Sequence, residues 1–189
     1  MSFVMDHFDF MAPFYDRLAA KPDMGHFQQL LKLPCDGRLL DAGGGTARIS
    51  SHLSGLIRQV VVSDLSYRML KQASRKPVLP VGARVEQLPF PDETFDRILI
   101  VDALHHFSDQ HGALRDLLRV LKGGGRLVIE EYDLSHMGVK LLALAEKILG
   151  MGSRFLRLDE ISAMIDANGV CAKIEHSSRF TACIIADKK

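Results

Sequence analysis

The chain has 189 residues and a mass of 21.0 kDa, with 47% apolar and 25% charged residues. Those are the proportions of one ordinary globular domain, and they exclude global disorder. Lys and Arg total 24 against 23 Asp and Glu, a net charge of +1, so the basic surplus of a typical nucleic-acid binder is missing. Cys35, Cys171 and Cys183 are scattered and form neither a C-x-x-C motif nor a zinc spacing. A disulfide framework is not expected, and a reducing cytoplasm is the expected compartment. Asp6 and Asp9 interrupt the first ten residues, so a signal peptide is not expected. The longest apolar stretch, Val139 to Met151, contains Lys140, Glu146 and Lys147 and is too short and charged to be expected to cross a bilayer.

In chain order, Arg38 to Ala42 is a short apolar run that ends at glycines. Ile49 to Ile57 is expected to be helical, Val60 to Ser63 a strand, and Ser66 to Ser74 a helix capped by Ser66. Arg97 to Val101 and Arg126 to Ile129 are further continuous apolar strands, as in a parallel sheet covered on both faces. Between them, Gly112 to Leu121 places Leu114, Leu117, Leu118 and Leu121 on one helical face, and Gly123, Gly124 and Gly125 are expected to stop it. Gly138 to Leu149 and Leu158 to Ala167 are expected helices. Val170 to Ile174 and Phe180 to Ala186 are strands too close together for a parallel crossover, so they should form an antiparallel hairpin at the sheet edge. The alternation indicates an α/β, doubly wound, single-domain fold.

The segment LLDAGGGTAR, Leu39 to Arg48, carries most of the functional information. Glycines after a strand let backbone amides approach a ligand, and a following helix start would favour an anionic group. A dinucleotide fingerprint G-x-G-x-x-G would take Gly43 and Gly45 but meets Arg48 at the third position, and it has no use for Asp41. An NAD-linked oxidoreductase is therefore the weaker alternative. Asp41 suits a ligand ammonium. Asp64, ending the next strand about twenty residues beyond Gly43, suits the two hydroxyls of a ribose.

These segments resemble the class I S-adenosylmethionine-dependent methyltransferases, in particular the ubiquinone and menaquinone biosynthesis C-methyltransferase branch. LLDAGGGTAR is similar to that family's first motif and SDLSYRML to its second. RVEQLPFPDETFDRILIVDALHHF is similar to its third and fourth, and LKGGGRLVIEEYD to the following strand. The resemblance covers Tyr15 to Lys188. It implies a Rossmann-like, seven-stranded, mostly parallel sheet with an antiparallel carboxyl-terminal hairpin. It implies residues 1–33 as an amino-terminal lid and helices, and 34–189 as the cofactor-binding core. It further implies that Asp41, Gly43 and Gly45 hold the methionine part of S-adenosylmethionine, whose product is S-adenosylhomocysteine. Asp64 would hold the ribose, Leu65 and Met69 the adenine, and Glu86, Gln87 and Leu88 the adenine-side loop. Val101 and Asp102 would line the sulfonium end. Where this branch usually carries an acidic residue for the adenine amino group, Arg84 stands here. Arginine has no acceptor, so that contact is lost, moved to Glu86 or supplied by a backbone carbonyl.

Methyl transfer from a sulfonium needs positioning more than covalent help. His105 and His106, after the fourth strand, are the candidate general bases, His106 being preferred. Adjacent histidines seldom converge on one ion and no third ligand is evident from spacing, so no metal site is expected. The family's lid resembles the aromatic stretch around Phe14 and Tyr15, which would face a small apolar or aromatic acceptor. A cofactor-binding protein without transferase activity is the other alternative. A nucleic-acid substrate and membrane insertion are not expected.

Overall fold

The computed structural model describes residues 22–148, 152–178 and 180–189. Phe14, Tyr15 and the rest of the expected lid before residue 22 lie outside the described residues. Helix α1 (Met24–Leu30) precedes strand β1 (Cys35–Ala42), and the chain then forms β2 (Ile57–Asp64), α2 (Tyr67–Ala73) and the short β3 (Leu79–Gly82). Next come β4 (Phe95–Val101), α3 (Gln110–Val120) and β5 (Leu121–Tyr132). Two helices, α4 (Met137–Ile148) and α5 (Leu158–Asp166), lead to β6 (Ala172–His176) and β7 (Thr181–Asp187).

The seven strands lie in the order β3-β2-β1-β4-β5-β7-β6. The pairs among β1 to β5 are parallel, and β7 runs antiparallel to both β5 and β6. The expected hairpin is present, with β7 inside the sheet and β6 on its edge. The central strands are apolar on both faces because both are covered. Leu114, Leu117, Ile161 and Ile165 of α3 and α5 pack on one side, and Phe27, Leu30, Leu70 and Ala73 of α1 and α2 on the other. Strand order reverses between β1 and β4, leaving a crevice beyond their carboxyl ends where ligands bind in open α/β sheets.

Local structure departs from the sequence expectation in four places. The segment Ile49 to Ile57 is not an α-helix: only a 3-10 turn, Ser50–Leu53, forms before β2 begins at Ile57. Gly45 and Ala47 both take positive φ, which breaks the helical path, so the glycine loop does not lead directly into an α-helix. The glycines Gly123 to Gly125 lie within β5 rather than stopping α3, which already gives way to the strand at Leu121. Strand β3 escapes the periodicity because it is four residues long and contains a proline. Finally, α4 buries only Val139, and Leu141, Leu144 and Ile148 are exposed, so its apolar row is not core among the described residues. The Ser66 cap is present: its hydroxyl accepts from the Met69 amide at 3.1 Å.

Candidate functional site

A cavity of about 630 Å³ opens at the strand-order reversal. The end of β1 and the loop after it supply Asp41, Gly43, Gly44, Gly45 and Arg48, and the end of β2 with the next residue supplies Asp64 and Leu65. Residues Val101 to Ala103 and His106 to Ser108 close it from the end of β4, with Arg84 to Glu86 on the remaining side and Met69 below.

The glycine loop is shaped by close approach. Gly43 has φ +70°, and a Cβ there would stand 2.8 Å from the Ala103 Cβ and 3.1 Å from the Phe107 ring. A Cβ on Gly44 would overlap the Asp41 carboxylate. The Gly45 amide donates to Asp64 Oδ2 at 2.9 Å, and the Ser66 amide donates to Oδ1 at 2.8 Å. Two amides therefore fix the plane of the Asp64 carboxylate.

Two other carboxyls carry the electrostatics. Burial pushes Asp41 up to about 6, with the Asp64 charge adding and Arg48 opposing. Burial, then the charges of Glu131 and Glu130, pushes Asp102 up to about 7. Asp102 also holds φ +51°, a left-handed conformation uncommon outside glycine. Its buried Oδ1 has no hydrogen-bond partner among the described residues. A buried carboxylate oxygen without a donor is costly, and a bound cationic group would satisfy it. A glycine-lined floor, an oriented Asp64 and two poorly solvated carboxyls fit a cofactor that combines an ammonium, a sulfonium and a ribose.

On the Arg84–Glu86 side of the cavity, Glu86 Oε1 accepts from the Ser108 amide at 3.0 Å, the Ser108 hydroxyl at 2.7 Å and the Asp109 amide at 3.3 Å. Burial alone would raise its pKa, but these bonds and nearby Arg84 hold it below the usual range. Arg84 donates to the same Ser108 hydroxyl at 2.6 Å. Glu86 thus ties together the loops that line the cavity. Gln87 and Leu88 do not line it. Gln87 faces solvent, and Leu88 is core, its amide bound to Asp116 at 2.6 Å, because the 3-10 turn Val85–Gln87 rotates them away.

The two histidines have separate surroundings. His105 is buried behind the wall, its Nδ1 donating to Glu131 Oε2 at 2.8 Å and its ring stacked on Phe155 with centroids 4.3 Å apart. Burial pulls its pKa down, but the Glu131 bond and the charges of Glu131, Glu146 and Asp102 prevail and leave it raised. His106 lines the cavity, and burial together with the neighbouring His105 pushes it down to about 3. Its Nδ1 lies 3.1 Å from the Ser153 hydroxyl, which donates to Glu146 Oε2. A hydroxyl has one hydrogen, so Ser153 accepts from Nδ1–H and the Nε2 of His106 carries the lone pair. Glu131, Glu146, Ser153 and Phe155 were not legible as site residues, since each reaches the histidines only through the fold. Glu146 supplies the third potential ligand beside His105 and His106 that spacing did not reveal.

Residues 40–129 match the family model described as a methyltransferase domain. A curated relative from Pseudomonas fluorescens (strain Pf0-1), the ubiquinone/menaquinone biosynthesis C-methyltransferase UbiE, is 42% identical over 108 residues, 51% of this chain and 42% of the relative. The protein of the same name from Cronobacter sakazakii is 35% identical over 150 residues, 66% of this chain and 60% of the relative. The chain spans about half the length of these relatives. A crystal structure of a SAM-dependent methyltransferase from Thermotoga maritima superposes with a TM-score of 0.77 at 24% identity, covering 96% of this chain and 98% of that one.

Proposed function

We propose, from the premise that this chain is a class I S-adenosylmethionine-dependent methyltransferase domain resembling the ubiquinone and menaquinone C-methyltransferases, that it methylates a small apolar or aromatic acceptor. The observation that carries this is the cavity in which Asp41, Asp64 and the partnerless Asp102 oxygen surround the glycine turn. The bound cofactor would supply an already activated methyl group.

The residues of the chain do the rest. Asp41 and Asp102 would hold the ammonium end, and Asp64 the ribose hydroxyls. Leu65 and Met69 would pack on the adenine. Ile49, Val101 and Phe107 give the cavity apolar walls that exclude water. With its pKa pushed down to about 3, His106 stays neutral and is a weak base, so its Nε2 would orient an acceptor hydroxyl by accepting its hydrogen bond. Ser153 and Glu146 would hold the ring in that tautomer. The relatives' names make a quinol-type ring the first acceptor to test.

Calorimetry should find micromolar binding of S-adenosylhomocysteine and none of NAD. Transfer of a labelled methyl group should then appear with one member of a panel of quinols and phenols. Binding without transfer to any member would remove the catalytic part of the proposal, and absence of binding would remove all of it.

A further inference from the structure

On the α1 face of the sheet, away from the cavity, three side chains of different chemistry converge. Glu130 of β5 and Cys183 of β7 are directly opposed across the antiparallel pair, and Glu175 of β6 opposes Cys183 from the other side. Directly opposed residues present their side chains on one face, so Glu130, Cys183 and Glu175 form a row. His26, in the first turn of α1, closes over it. The Cys183 Sγ lies 3.6 Å from Glu130 Oε2 and 3.8 Å from His26 Nε2, and one ligand atom from each residue lies within 4.8 Å of the others. Cys183 is fully buried and held by no disulfide.

These separations are those of a coordination shell. With Zn–S near 2.3 Å and Zn–N or Zn–O near 2.0–2.2 Å, tetrahedral geometry places neighbouring ligand atoms about 3.5 Å apart. A hydrogen-bonded core thiol has no need of a carboxylate and an imidazole at that spacing. We propose that His26, Glu130 and Cys183 bind a zinc-like divalent transition-metal ion, with water or Glu175 as the fourth ligand, fastening α1 to the central sheet. A soft thiolate with an imidazole selects zinc or cobalt over magnesium or calcium. The Cys183 S–H donates to Glu130 Oε2. The ion replaces that proton: the S–H bond breaks, a metal–thiolate bond forms and one proton leaves to solvent. This assignment stands whether or not the chain transfers methyl groups.

Cobalt(II) is the probe, added to the chelator-treated, reduced full chain. The wild type should develop a near-ultraviolet thiolate-to-cobalt charge-transfer band with the visible bands of a tetrahedral ion. Both should saturate at one equivalent, and zinc should abolish them. Cys183→Ser should lose the charge-transfer band, and His26→Ala should weaken cobalt binding at least tenfold. Circular dichroism checks that both variants are folded. His106→Ala should retain the band, which separates this site from the cavity histidines. No charge-transfer band in the folded wild type, or a band that survives Cys183→Ser, overturns the assignment.

Discussion

The amide of Gly45 and the carboxylate of Asp64 are joined by a 2.9 Å hydrogen bond that spans two loops of the cavity. The glycine turn and the Asp64 carboxylate are therefore one device: the turn aims the carboxylate, and the carboxylate fixes the turn.

Asp64→Ala should break both. At a hundredfold excess over the dissociation constant, S-adenosylhomocysteine should stabilise the wild type by about 2.7 kcal/mol, a melting shift of roughly 5–10 °C for a chain of this size. The variant should show no shift. A shift equal to that of the wild type would leave the ribose assignment untenable.

Gly43→Ala tests the floor of the cavity. The strained φ and the contacts with Ala103 and Phe107 should together cost about 1–3 kcal/mol. The melting temperature should fall and cofactor binding should weaken. An unchanged melting curve would mean that the loop relaxes freely.

Cofactor affinity should depend on pH. Asp41 and Asp102 have pKa values raised by burial to about 6 and about 7, so both are protonated in mild acid and charged in mild base. Attraction for a cationic ligand should increase as pH rises through that window, and within it binding should release protons from the carboxyls to the buffer. Titrations in buffers of different ionisation enthalpy read this directly. In the empty protein the sign reverses, because a raised carboxyl favours the folded state only while protonated. Asp102→Asn should remove the upper part of both effects.

His105 gives a second pH signature. Its pKa is raised in the folded chain by Glu131. The pair therefore stabilises the fold fully below the unfolded value near 6.5, and that contribution disappears as pH rises through the folded value. Glu131→Gln should flatten this part of the melting-temperature profile. An identical slope in the variant would show that the buried pair does not set it.

His106→Ala should lower kcat about a hundredfold through loss of acceptor orientation while leaving the KM for S-adenosylmethionine nearly unchanged. Glu146→Gln, acting through Ser153, should produce a smaller loss in the same direction. A change confined to KM would assign His106 to ground-state binding rather than to orienting the acceptor for transfer.

The order of strands and helices could be read from residues that act locally. Apolar runs such as Arg97 to Val101 need two covered faces, and Ser66 caps α2 whatever surrounds it. The glycine loop and the spacing of Asp41 and Asp64 were visible for the same reason, since both belong to turns at strand ends. The course of Ile49 to Ile57 was not, because the positive φ at Gly45 and Ala47 belongs to a loop held against Asp64 from the end of another strand.

The sequence by itself determined the doubly wound architecture, the glycine turn and its two flanking acids, because short-range sterics and hydrophobic period act within a few residues. Only the tertiary structure decided which histidine faces the cavity, that Glu131 and Glu146 stand behind the pair, and that Cys183 meets Glu130 and His26. Those meetings join residues far apart in the chain, and the burial that shifts their proton affinities exists only once the sheet and helices have closed around them.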